Sequence, residues 1–159
     1  MYSYFLMVLS MRAVIQRVDS SCVKINNNEL SSINKGILIF LGVAKEDTED
    51  DADYILEKAV NLRIFEDEHD KMNRSLLDIG GSMMIVSQFT LLGNCVKGRR
   101  PSFISAEEPK KANELYEYFV NKAKGKVKHL ATGKFQEMMK IEIINNGPVT
   151  ILLDSRKSF

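Results

Sequence analysis

The chain is poor in the residues from which most recognisable active sites are built: 159 positions hold two cysteines and two histidines. Cys22 and Cys95 lie far apart, with no CxxC pair and no Cys/His cluster. That pattern argues against a disulfide framework and a zinc site, so no metal and no other cofactor is expected. His69 falls in a polar loop and His129 in a strand pattern, neither with a partner at ligand or triad spacing, which sets imidazole base catalysis aside. An HExxH helix, a P-loop and a dinucleotide fingerprint are also missing. The opening MYSYFLMVLS is apolar but too short to cross a bilayer. It lacks the basic stretch and small-residue cleavage site of a signal peptide. Eight methionines and no secretory feature fit a reducing, cytoplasmic setting without membrane attachment.

An apolar share of 45% and a charged share of 27% describe an ordinary globular composition, long enough for one domain with a real core. Net charge is only +1, yet it is unevenly spread. Residues 42–79 hold 12 acidic against 5 basic side chains, and residues 97–140 hold 11 basic against 5 acidic. A continuous basic third suits local binding of a polyanion, or is simply a solvated lysine-rich face.

The regular strand pattern begins at Met11, which makes residues 1–10 an extension and 11–159 a single domain. Residues 13–18 and 22–25 read as two strands, Asn26-Asn27-Asn28 as a tight turn, and 29–33 as a returning strand. The wholly apolar run 37–43 follows. Thr48-Glu49-Asp50-Asp51 opens a helix with an N-cap hydroxyl and carboxylates over its positive end, and Ala52, Ile55, Leu56, Ala59 and Val60 form its apolar stripe. A second helix is predicted from a capping box at Ser105 and Glu108, through Leu115, Tyr116, Phe119 and Val120, to Gly125. Late strands are expected at 127–130, 139–144 and 149–153. The order ββββ-α-β-α-ββ-turn-β predicts an α/β fold with a mixed, mostly antiparallel sheet and helices outside it.

The stretch GGSMMIVSQFTL at 80–91 carries the most information. Met83, Met84, Ile85 and Val86 form a strand buried on both faces, which emerges as Ser87-Gln88-Phe89-Thr90. A rigid strand ending in hydroxyls and an amide either builds a pocket or merely reaches the surface. Downstream, Lys97-Gly98-Arg99-Arg100-Pro101 is a rigid basic loop whose guanidinium groups suit phosphate. Gly147-Pro148 lies in NNGPVT at 145–150, where a plain turn and a cis bond are both open.

SQFTL at 87–91 and NxGPVT at 145–150 resemble the signature motifs of the D-aminoacyl-tRNA deacylase (D-tyrosyl-tRNA deacylase) family. MRAVIQRV at 11–18 and KGRRPSF at 97–103 resemble it too, so the likeness spans nearly the whole chain in order. It implies a strongly curved, barrel-like sheet assembly with flanking helices, working as a homodimer. It implies hydrolysis of the ester between a D-aminoacyl group, or glycine, and the 3′ adenosine of tRNA. In the family a Gly–cis-Pro pair, here Gly147-Pro148, enters the partner's pocket and rejects L-amino acids by shape. Family members carry GxFGAxM where this chain has Gly133-Lys134-Phe135-Gln136-Glu137-Met138-Met139, so Gln136 replaces a glycine.

Two mechanisms stand at 87–90. Thr90 as nucleophile needs an adjacent base, which the sequence does not offer. Alternatively main-chain N–H groups, that of Phe89 foremost, form an oxyanion site while a ribose hydroxyl of the substrate organises the water; the resemblance favours this one. Ser87, Gln88, Gly147 and Pro148 are the expected substrate contacts. Lys97, Arg99 and Arg100, with several of Lys122, Lys124, Lys126 and Lys128, are expected to hold the acceptor end of tRNA. The alternative class is a tRNA-binding module without catalysis.

Overall fold

The two apolar runs lie side by side. In the computed structural model, which describes residues 9–158, β3 (Gly36–Gly42) and β6 (Ser82–Ser87) pair in parallel, Ile37 opposite Met83 and Phe40 opposite Val86. Side chains alternate between the faces of a strand, so a run without polar residues must be covered on both. Ile37, Ile39, Leu41, Met83 and Ile85 face one core, and Leu38, Met84 and Val86 face another. The first core lies under two helices, α1 (Glu49–Asn61) and α3 (Pro109–Lys124), which contribute Ile55, Leu56, Val60, Phe119 and Val120. The second joins Val18, Val23 and Ile33 from neighbouring strands.

A long strand, β1 (Arg12–Ile25), organises the rest. Its first half pairs with β3, its second half with β2 (Asn28–Ile33), and nearly its whole length with β8 (Lys140–Asp154), all antiparallel. β7 (Leu130–Thr132) adds a parallel strand to β6. The Ser31 hydroxyl then donates to the Thr132 carbonyl at 2.7 Å, tying β2 to β7. The result is a nearly closed, barrel-like mixed sheet with helices outside, as expected from the order of elements and the resemblance. A small hairpin, β4 (Phe65–Glu66) with β5 (Met72–Arg74), and a single turn of helix, α2 (Leu76–Ile79), precede β6. Among the described residues no helix is long and apolar enough to cross a membrane. Of the expected extension at 1–10, only Leu9 and Ser10 fall within the described residues.

Several local expectations are corrected. Residues 13–18 and 22–25 belong to one strand: the polar Asp19-Ser20-Ser21 stays extended because β8 supplies partners, including Glu142, whose carbonyl accepts from the Ser21 hydroxyl at 2.8 Å. Residues 139–144 and 149–153 likewise form one strand with an outward bulge. β7 starts at Leu130 rather than 127, since pairing with β6 decides its register. The cap of α3 is Glu108, whose carboxylate accepts the Lys111 N–H at 3.1 Å, with Pro109 at the first helical position; Ser105 lies outside the helix and uses its carbonyl on Lys45 N–H. For α1 the Asp51 carboxylate returns to the Thr48 N–H at 2.8 Å, as the sequence implied.

Just ahead of α1, Asp47 is 4% exposed; one carboxylate oxygen accepts the Ala44 N–H at 2.6 Å and the other has no hydrogen-bond partner within 3.5 Å among the described residues. Burial pushes its pKa from the usual 3.8 up to about 7. Burial also opposes ionisation at Asp51 and Asp154, but hydrogen bonds outweigh it, from Ser155 and Thr48 at the first and from Ser10 and Ser158 at the second, so both lie below the usual range. Between those limits the folded chain keeps a proton on Asp47 that the unfolded chain has released. Asp47 therefore takes away stability as pH rises from near 4 to about 7, by up to about 1.4 kcal/mol per pH unit. Asp51 and Asp154 act in the opposite sense, their stabilisation being lost as pH falls. Asp47→Asn is expected to gain on the wild type steadily across that window and to hold a constant advantage above it, read from thermal unfolding against pH. A difference that does not change with pH would contradict this account.

Candidate active site

β6 ends at Ser87, and the chain turns at once into a 3-10 turn, Phe89–Leu92. Gln88 makes the corner, its N–H donating to the Leu41 carbonyl at 2.8 Å. The turn presses against β3 at Gly42, where a Cβ would come within 2.6 Å of Leu92 Cδ2 and 3.0 Å of the Gln88 carbonyl oxygen. A side chain there would force the turn to shift. On the other side Arg12 Nη1 donates to the Leu91 carbonyl at 3.0 Å. Leu91 N–H reaches the Gln88 carbonyl at 3.3 Å and Gly93 N–H the Thr90 carbonyl at 3.0 Å. The amides of Phe89 and Thr90 come before the first such bond, as the opening amides of any helical turn do, and have no acceptor among the described residues.

These residues form one wall of a cleft of about 890 Å³. Its floor is apolar, with Phe40, Val86, Ile141 and Ile143, and Ser87, Gln88, Phe89 and Thr90 bring the polar groups. The structure thus brings four of the expected site residues together. The Thr90 hydroxyl accepts from Gln88 Nε2 at 3.0 Å. Among the described residues no histidine, lysine or carboxylate is hydrogen-bonded to it. The Phe89 ring is 57% exposed and meets Phe103 edge-on, with centroids 5.1 Å apart.

The opposite wall is the segment 135–139. Gln136 stands there at φ +62°, in the left-handed region, which costs a residue with a side chain about 1–2 kcal/mol. The backbone thus keeps a shape that glycine would adopt freely. The chain is held in it by neighbours: Gly133 N–H donates to Ile85 O at 3.1 Å and the Phe135 ring packs on Tyr116 at 6.1 Å.

Gly147 and Pro148 are exposed and do not line this cleft. Their peptide bond is cis. They cap a bulge in β8: Gln16 faces Thr150 and Val18 faces Asn145, which leaves four residues of β8 opposite Arg17 alone. Asn145 Nδ2 staples the base of the bulge to the carbonyls of Arg17 at 2.9 Å and Val149 at 3.0 Å. Gly147 has φ +118°, and a Cβ would lie 2.8 Å from Val149 Cγ2 and 3.0 Å from Arg17 Nη2.

Arg17 was not singled out from the sequence. It is 5% exposed; its Nη1 donates to the Ile64 carbonyl at 2.7 Å and to Glu66 at 2.8 Å, and its Nε to the Asn146 carbonyl at 3.3 Å. The available signal was its place in the alternation Ala13, Ile15, Arg17, a charge on the face that is otherwise apolar. The Glu66 carboxyl is held below its usual pKa by a backbone N–H and by this arginine.

Lys97, Arg99 and Arg100 lie exposed on a loop closed by paired bonds between Asn94 and Ser102, next to cleft residue Phe103. The lysines after them sit elsewhere. Ala112 lines the cleft, but Lys124 is twelve residues further along α3, about 18 Å at ~1.5 Å per residue. Lys122 and Lys126 face the acidic side of α1, at 3.9 Å from Asp53 and 2.9 Å from Glu57. His69 and His129 are exposed and outside the cleft.

Residues 14–154 match the family model described as D-Tyr-tRNA(Tyr) deacylase. The chain is 58% identical over 149 residues to the D-aminoacyl-tRNA deacylase of Syntrophus aciditrophicus (strain SB), covering 94% of this chain and all of the relative. The D-aminoacyl-tRNA deacylase of Clostridioides difficile (strain 630) is similar to the same extent. Among solved structures, the c-Myc DNA Unwinding Element Binding Protein superposes with a TM-score of 0.85 at 36% identity, over 89% of this chain and 97% of that one. A probable eukaryotic D-amino acid tRNA deacylase shares the fold, with a TM-score of 0.76 at 18% identity over 91% and 99% of the two chains. A match over residues 14–154, together with relatives covered over their full length, shows that the chain belongs to the D-Tyr-tRNA(Tyr) deacylase family of hydrolases.

Proposed function

We propose that the cleft hydrolyses the ester joining a D-aminoacyl group, or glycine, to the 3′ adenosine of tRNA. The observation that carries this reading is the pair of amides at Phe89 and Thr90 on the wall of an apolar cleft, which among the described residues have no acceptor and no activated nucleophile beside them. Aimed at an ester carbonyl oxygen, such fixed donors stabilise the negative charge that develops on it. Water adds to the carbonyl carbon, and the free ribose hydroxyl beside the ester organises that water. The bond to the ribose oxygen breaks, that oxygen takes up the proton, and the free amino acid and tRNA leave. Ser87 and Gln88 shape the substrate contacts at the corner.

Stereochemical choice comes from a second copy of the chain. Gly147-Pro148 projects from its own subunit and, in a homodimer, enters the partner's cleft. There main chain meets the α-carbon and admits the D configuration and glycine but not L. Lys97, Arg99 and Arg100 flank the same cleft and hold the acceptor-end phosphates. Such a tRNA-directed enzyme works in the cytoplasm, and residues 11–159 form its single domain.

Purified protein is expected to release D-tyrosine from D-tyrosyl-tRNA and to leave L-tyrosyl-tRNA intact. Equal inactivity on both would favour the non-catalytic tRNA-binding module instead. Thr90→Ala keeps the amide and is expected to retain most of kcat/KM, whereas removing the terminal 2′-hydroxyl of the tRNA should cripple turnover. A Thr90→Ala protein that folds and binds tRNA but is inert would restore the hydroxyl as nucleophile. Arg17→Lys keeps the charge but loses the fork beneath Asn146, so the ratio of D- to L-tyrosyl-tRNA hydrolysis should fall on the order of tenfold or more. An unchanged ratio would separate Arg17 from stereochemical selection.

A further inference from the structure

Arg12, at the start of β1, stands in register between Asp154 of β8 and Gly42 of β3. Residues directly opposite one another on paired strands share a face of the sheet. The row therefore runs Asp154, Arg12, Gly42, and the bare Gly42 leaves the space against which the turn Phe89–Leu92 rests. Arg12 links the two ends of that row. Its Nη1 donates to the Leu91 carbonyl at 3.0 Å. Its Nε, buried and without a hydrogen-bond partner among the described residues, lies 4.0 Å from Asp154 Oδ2. The Asp154 side chain is wholly buried. It accepts the Ser10 hydroxyl at 2.6 Å, the Ser158 hydroxyl at 2.7 Å and the Arg156 N–H at 2.7 Å, which are all neutral donors. Among the described residues its ion pair is with Arg12, and a buried pair is screened far less by solvent and salt than an exposed one.

A grip on the Leu91 carbonyl reaches the amides at the cleft through planar peptide units. Leu91 N–H donates to the Gln88 carbonyl at 3.3 Å, and that carbonyl shares its peptide plane with the Phe89 N–H. Leu91 N–H in turn shares a plane with the Thr90 carbonyl, which accepts the Gly93 N–H at 3.0 Å. Holding Leu91 by its carbonyl therefore fixes the tilt of the peptide that carries the Phe89 donor. The 3.3 Å bond is a long one, so the turn by itself grips that peptide weakly. Donors that act on a developing oxyanion must be held within about 0.5 Å of the productive geometry before the substrate arrives. Arg12 does not line the cleft, so whatever it does for the reaction passes through the turn.

We propose that Arg12 and Asp154 are a pair of positioning residues: the buried Asp154 carboxylate holds the Arg12 guanidinium against the Leu91 carbonyl, and that hold sets the Phe89 amide for the developing oxyanion. The inference rests on the deacylase reading above and deepens it. The test measures kcat and KM on D-tyrosyl-tRNA, together with thermal unfolding, for wild type, Arg12→Met, Arg12→Lys, Asp154→Asn and the double variant of Arg12→Met with Asp154→Asn. Arg12→Met keeps an unbranched side chain and loses the donor. Its kcat per folded molecule is expected to fall about tenfold or more, with KM within about twofold of wild type. Arg12→Lys can still place one ammonium hydrogen on the same carbonyl and should recover most of that loss. Asp154→Asn should lower kcat in the wild-type background but add little in the Arg12→Met background, because the two residues act along one path. A purely structural role would lower the unfolding temperature and leave the kcat of the folded protein as it was. Unchanged kcat in Arg12→Met, a loss confined to KM, or an Asp154→Asn effect that adds in full to that of Arg12→Met would overturn the proposal and leave the deacylase reading standing. Wild type inert toward D-tyrosyl-tRNA would overturn the two together.

Discussion

Where β3 and β6 run side by side, two apolar segments far apart in sequence cover each other along one edge and are covered by separate cores on their two faces. Nothing in that arrangement can slide, because a shift of one residue would exchange the faces of every side chain. The turn after β6 inherits this rigidity. It is clamped by the Gln88 N–H on the Leu41 carbonyl, by close approach to Gly42, and by Arg12 on Leu91. A site that relies on main-chain amides needs such a clamp, since those donors act only when their positions are set before the substrate arrives.

The usual catalytic side chains are few at this cleft among the described residues. The hydroxyl at Thr90 is tied to Gln88 rather than to a base, and both histidines lie outside the cleft. What remains at the wall is backbone, two opening amides of a short turn beside an apolar floor. Water exclusion by that floor strengthens whatever electrostatic help the amides provide.

The bulge at Gly147-Pro148 is made rigid by different means. Here the projection is carried inside a long strand paired on both sides of the bulge, stapled by Asn145 and braced by the buried fork of Arg17. Arg17 is itself satisfied by Glu66 and the Ile64 carbonyl, so the charge is buried with partners rather than alone. The brace joins β1, the segment leading into the small hairpin, and β8, which are remote in sequence.

The amino-acid sequence by itself determined the features that depend on near neighbours. The apolar runs at 37–43 and 83–86 announced strands, and Thr48 to Asp51 announced the start of α1. What only the tertiary structure decided depends on partners remote in sequence. β8 keeps Asp19-Ser20-Ser21 extended, so β1 is one strand where the local composition suggests a break. β1 in turn holds residues 140–154 as a single strand, so Gly147-Pro148 is a braced bulge rather than a connecting turn. The acidic face of α1 takes up Lys122 and Lys126, which the basic composition alone would have offered to tRNA. Local spacing encodes propensity and periodicity, whereas strand pairing, charge pairing and the burial of Arg17 are set by which segments meet.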